Sequence, residues 1–300
     1  MFARTVTAAA LLAASACAPV PPLAAQDTPA DQARWVEACA DWDDWDKPGP
    51  PFLIHGRSYY VGTCGIAAIF IPSAHGHALI DTGTEAGAEV VMDNIRALGF
   101  DPAHIRLLLT SHEHHDHVGG LALLQQVNGA RVITSPAAVE ALETGRASAS
   151  DPQHGVNPAM PPVAHVRAIT PGQAVRSGID DVAIMPIETP GHTPGALTWQ
   201  WQSCDGSGDC RTIVYADSLS PVSSDSYRFS DHPEYLRAYR AGIARLAALD
   251  CDILLTPHPS ASGLREKLLA GDPGGGMKCR DYAASITERL DARLVQEAGQ

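Results

Sequence analysis

The chain has 300 residues, 45% of them apolar and 18% charged, with a formal net charge of −13 at pH 7. That length suits one large domain or two modest ones, and the apolar fraction supports a substantial core. Acidity without any basic run or patch excludes nucleic acid as the partner.

In chain order, Met1-Phe2-Ala3-Arg4 reads as a short basic lead, and residues 6–16 as an apolar stretch too short to span a bilayer. Pro21-Pro22-Leu23-Ala24-Ala25 is a cleavage region, so residues 1–25 are expected to be a signal peptide and residues 26–300 the mature domain. Ala14-Ser15-Ala16-Cys17 resembles a lipoprotein box with Ala where Leu is usual, which makes lipidation at Cys17 the minor alternative. No later stretch is long and apolar enough for a transmembrane helix, so stable membrane insertion is not expected. Export to the periplasm, as a monomer, is the expectation. Six further cysteines remain: Cys39, Cys64, Cys204, Cys210, Cys251 and Cys279. An even number in an exported chain implies disulfides. Fifteen pairings are open, of which Cys204 with Cys210 is favoured by the tight-turn composition between them.

Residues 31–51 contain Trp35, Trp42 and Trp45, a cluster that suits a lid or a core edge. Strands are predicted at 58–61, 66–71 and 78–81, and a helix at 86–98 stopped by Gly99. A buried-length strand at 105–110 follows, then a helix over 120–126, a strand at 131–134 and a helix at 137–142. Residues 144–163 are rich in Gly, Ser and Pro without periodicity, a loop long enough to be functional. Strands occupy roughly 174–216, with a helix at 232–249, a short strand at 253–256 and a terminal helix at 279–297. This alternation predicts an α/β fold of two β/α halves packed face to face with helices outside.

The chemistry concentrates in Ser111-His112-Glu113-His114-His115-Asp116-His117, at the end of the 105–110 strand and just before Gly119-Gly120. Imidazole and carboxylate are the ligands that zinc-like metals prefer, and a strand end pre-positions them. Two further histidines sit in rigid turns. His192 lies between Pro190-Gly191 and Pro194-Gly195, and His258 between Pro257 and Pro259. Flanking prolines reduce the entropy lost on ligation. With the central run these supply ligands for two metal ions.

The pattern His112-x-His114-x-Asp116-His117 with later His192 and His258 resembles the metallo-β-lactamase superfamily, and most nearly its subclass B3. The sharper likeness rests on Tyr215-Ala216-Asp217-Ser218-Leu219-Ser220, which lacks the cysteine ligand of the other dinuclear subclass, and on residues 251–259. The resemblance implies an αββα sandwich and disulfides Cys251–Cys279 and Cys39–Cys64. It implies two Zn2+ ions, one on His112, His114 and His192, the other on Asp116, His117 and His258. It further implies β-lactam antibiotics (penicillins, cephalosporins and carbapenems) as small-molecule substrates, opened by a zinc-bound hydroxide that Asp116 orients. Ser218 and Ser220 would hold the substrate carboxylate, and Asp81 would orient a metal histidine. His115, Gln153 and Tyr227 would border the cleft. One alternative stays open: in the superfamily's lactonases and thioester hydrolases an aspartate near the position of Asp217 bridges the metals.

Overall fold

The computed structural model describes residues 28–299 apart from 41–42 and 179–180. The export segment, Cys17 and Trp42 therefore lie outside the described residues. Eleven strands among these residues form two sheets. The larger, in spatial order, is β1 (Phe52–His55), β2 (Ser58–Tyr60), β3 (Ile69–Ile71), β4 (His77–Ile80), β5 (Ile105–Leu109), β6 (Arg131–Thr134) and β7 (Val166–Ala168). Strands β1 to β4 pair antiparallel and β4 to β7 parallel. The smaller sheet runs β11 (Ile253–Leu255), β10 (Cys210–Tyr215), β9 (Leu197–Cys204) and β8 (Met185–Glu188), with only β10 and β11 parallel.

The helices are α1 (Thr28–Ala38), α2 (Gly87–Ala97), α3 (His115–Val118), α4 (Leu121–Asn128), α5 (Val139–Thr144), α6 (Pro233–Ala247), α7 (Leu264–Leu269) and α8 (Cys279–Ala298). Period-two alternation along the strands divides the core into three layers. Ile69, Ile80, Leu107 and Leu109 meet Leu197, Trp199, Ile213 and Leu255 between the sheets. Phe70, Leu79, Leu108 and Val132, on the opposite face, pack under Val91 and Ile95 of α2 and Leu121 and Leu124 of α4. Val214 and Leu254 do the same under Tyr239 and Ile243 of α6 and Tyr282 and Ile286 of α8. The result is the four-layer αββα sandwich.

Three readings of the sequence differ from the structure. Helix α1 lies where the sequence predicts no element, with Trp35 fully buried against Phe52 and Tyr60. The strand expected over 66–71 shortens to Ile69–Ile71. Residues 63–68 instead close a turn, with Thr63 N–H donating to the Ile66 carbonyl and Val61 N–H to that of Ala68. Gly62 allows it, since a Cβ there would meet the Ile66 oxygen at 2.2 Å. The turn has a use: Ala67 N–H donates to the Pro257 carbonyl, fixing the chain one residue before His258. Strands β1 and β7 and helix α7 are short elements that no periodicity announced.

The cysteines pair as Cys39–Cys64, Cys204–Cys210 and Cys251–Cys279. The last ties the start of β11 to α8 across a separation of 28 residues. Loop-closure entropy for that span is worth about 3.5 kcal/mol. Cys251→Ala with Cys279→Ala should therefore lower Tm by roughly 10 °C in a domain of this size, and a thermal melt unchanged within error would contradict it.

Candidate metal centre

The ends of β4, β5, β8, β10 and β11 all deliver polar loops to one edge of the sandwich, the crevice where α/β sheets place their ligands. Residues 110–111 leave β5 stitched to the other sheet. Trp199 Nε1 donates to the Thr110 carbonyl at 2.9 Å, and Leu197 N–H to that of Ser111 at 2.6 Å. Asp81, in the left-handed region at φ 59°, accepts from Ser111 N–H and Oγ, both at 2.6 Å, and from the Tyr215 hydroxyl at 2.8 Å. Its carboxyl also lies 3.8 Å from His117 Nδ1. Helix α3 then turns Asp116 and His117 inward. Gly120 permits this close passage, because a Cβ there would lie 2.4 Å from that of Ala88 on α2.

Two ligand groups result. One nitrogen each from His112, His114 and His192 lies within 4.8 Å of the others, and so does one ligand atom each from His112, Asp116 and His117. The first three rings stand nearly perpendicular, 4.8–4.9 Å apart, so they face a common point. Each is held from behind. His112 Nδ1 is 2.8 Å from Asp217, His114 Nε2 is 3.0 Å from Asp151, and His192 Nδ1 is 3.0 Å from both the carbonyl and hydroxyl oxygens of Ser220. In the second group Asp116 Oδ2 is 3.0 Å from His117 Nε2 and 3.3 Å from His258 Nε2. His258 thus reaches the cluster from the end of β11.

Burial pushes the His112 imidazole well below its usual pKa, reinforced by His117 and His114. Burial, with His112 and His114 beside it, brings His192 down to about 3. Both rings are neutral at neutral pH, as metal ligands must be. Burial pushes Asp116 up, but the neighbouring His117, with hydrogen bonds from His117 and His258, outweighs it and keeps the carboxyl ionised. The donor set fits a metal on a direct observation. His112 Nε2 is buried without a hydrogen-bond partner, a cost that a metal ligand bond removes. These are two His/Asp groups able to hold a dinuclear metal site.

The remaining predicted residues are placed as follows. Ser218 Oγ is buried and unpartnered, while Ser220 Oγ is engaged with His192. Gln153 Nε2 sits 3.4 Å from His192 Nε2. His115 belongs to neither group; its Nδ1 is 4.0 Å from Asp116 Oδ1 and its ring centre 6.0 Å from that of Trp45. Tyr227 stacks on His232 at 4.4 Å, in a segment joined to the 144–163 loop by Ser224 N–H on the Pro152 carbonyl. Three residues went unassigned in the sequence. Asp151 grips His114 from within a loop that carries no pattern. Trp45, 38% exposed, lies 5.6 Å from His258 at the rim of the site. Glu113 is buried inside the motif itself. An acid amid consecutive ligands was the one signal that could have raised it.

A model of the metallo-beta-lactamase superfamily matches residues 61–258. Among solved structures, the MIM-2 metallo-beta-lactamase is 51% identical, with TM-score 0.81 over 89% of this chain and 98% of that one. SMB-1, a metallo-beta-lactamase solved bound to the small molecule 2-mercaptoethanesulfonate, is 42% identical, with TM-score 0.80 over 85% of this chain and 99% of that one. MEM-A1, a subclass B3 metallo-beta-lactamase from a soil metagenome library, is 38% identical, with TM-score 0.80 over 85% and 99%. With the fold, the His/Asp groups and these likenesses together, the chain belongs to the metallo-beta-lactamase superfamily and is a metallo-beta-lactamase of subclass B3.

Proposed function

We propose that residues 26–300 form a periplasmic dizinc β-lactamase, released from a signal peptide at 1–25, that opens penicillins, cephalosporins and carbapenems. The observation that carries this reading is the pair of adjoining His/Asp groups, with His112 Nε2 buried between them and unpartnered. His112, His114 and His192 would hold one zinc, and Asp116, His117 and His258 the other. When bound, two zinc ions activate water for attack and polarise the substrate carbonyl. The chain's own residues do the rest. Asp116, ionised between His117 and His258, orients the attacking water and takes its proton. Ser218 Oγ donates to the substrate carboxylate, and Ser220, committed to His192, assists through water. Trp45 walls the rim beside His258. No covalent acyl-enzyme is required. Three disulfides suit an oxidising compartment, and no described helix is long and apolar enough to cross a membrane.

A lactonase or thioester hydrolase of the same superfamily would use Asp217 as a bridging ligand. The geometry favours the lactamase: Asp217 Oδ1 lies against the rear nitrogen of His112, and its Oδ2 accepts from Leu219 N–H at 3.0 Å. The deciding experiment is a panel of a penicillin, a cephalosporin and a carbapenem against acyl-homoserine-type lactones and a thioester. Turnover of the β-lactams with little of the others is expected, and zinc-loaded protein that turns over only the lactones or the thioester would refute the reading.

A further inference from the structure

His112 and His114 face the ligand cluster from a bend after β5, while Glu113 between them turns into the protein, where it is 3% exposed. A buried carboxyl needs compensating partners. Both of these come from the loop that bears His192. Thr193 Oγ1 donates to Glu113 Oε2 at 2.6 Å, and Gly195 N–H to Oε1 at 3.0 Å. Thr193 is itself fully buried, and Gly195 is shaped for the contact, since a Cβ there would come within 2.7 Å of Glu113 Oε2. The two loops leave different sheets, His112 and His114 after β5 and His192 after β8. Nothing in the local sequence of either loop sets the distance between them.

We propose that Glu113 is a positioning residue that holds His192 at ligand distance from His112 and His114, and so governs metal affinity at the three-histidine group without touching the metal. The inference rests on the reading of His112, His114 and His192 as metal ligands. It separates the two groups, because both of Glu113's bonds run to the loop that bears His192 and neither to Asp116, His117 or His258.

The test is a Zn2+ titration of the full mature protein against a chromogenic chelator. Wild type should bind two ions. Glu113→Ala should weaken one of them by about 10–100-fold, the usual cost of removing a group that orients a ligand, and leave the other unchanged. Placed on His258→Ala, which weakens the second group, Glu113→Ala should lower the affinity that remains. Glu113→Gln should restore much of the loss, since its amide oxygen still accepts from Gly195 and its NH2 can donate to the Thr193 hydroxyl. Thr193→Val, which deletes one bond of the two, should give a smaller loss and decides the matter if Glu113→Ala does not fold. Folded variants with both affinities unchanged, or weakened equally, would overturn the proposal. A wild-type protein that binds no Zn2+ would instead remove the metal reading on which it stands.

Discussion

Asp116→Ala is expected to lower kcat/KM for every β-lactam by on the order of 10³-fold or more, since it removes a metal ligand and a proton acceptor together. The carboxylate is 3.0 Å from His117 Nε2 and 3.3 Å from His258 Nε2, so no neighbour can take its place by a rotamer change. Without it two imidazoles face each other across a site with no anion, and the second group loses its only charged ligand. Asp116→Asn keeps the shape without the charge and should fall nearly as far. Steady-state kinetics with metal content measured on the same samples is the check. Activity within tenfold of wild type would remove Asp116 from the mechanism.

Metal removal should have the second large effect. Dialysis against a chelator is expected to bring turnover to background, and Zn2+ to restore it. Stability should fall at the same time, because ions bound only by the folded state contribute about 4 kcal/mol when present at a thousand times their dissociation constant. The structural reason lies in His112 Nε2, which is buried without a partner among the packed imidazoles. Full turnover after exhaustive chelation would contradict the dinuclear reading, and an unchanged Tm would contradict the coupling of metal to fold.

Much of this was legible in the chain because the informative segments are locally determined. Residues 105–109 are apolar on both faces, as a central parallel strand must be, and every one except Arg106 is buried. Spacing within residues 112–117 encodes the direction each side chain takes, and prolines on either side of His192 and His258 mark them as fixed. Long-range contacts left no such trace. The role of Asp217 depends on which way its carboxylate faces, and that follows from the register of β10 against β11 rather than from Ala216-Asp217-Ser218. Asp151 reaches His114 from a patternless loop at a sequence separation of 37. Helix α1 hid behind its composition, since it is fixed by burying one tryptophan against a strand that also went unread.

The three disulfides have a consequence for how the molecule could be divided. Cys39–Cys64 closes within the larger sheet's part of the chain, and the other two within the smaller sheet's. None crosses between β7 and β8, where Gly172 sits in a turn with open space around it. Ligands fall on both sides of that point, with residues 112–117 before it and His192 and His258 after. Cleavage there would yield two fragments, each crosslinked internally, neither with a full ligand set, and held together only by the packing between sheets and bonds such as those of Glu113. Hydrolysis would then report reassembly, which makes the protein a natural scaffold for fragment complementation.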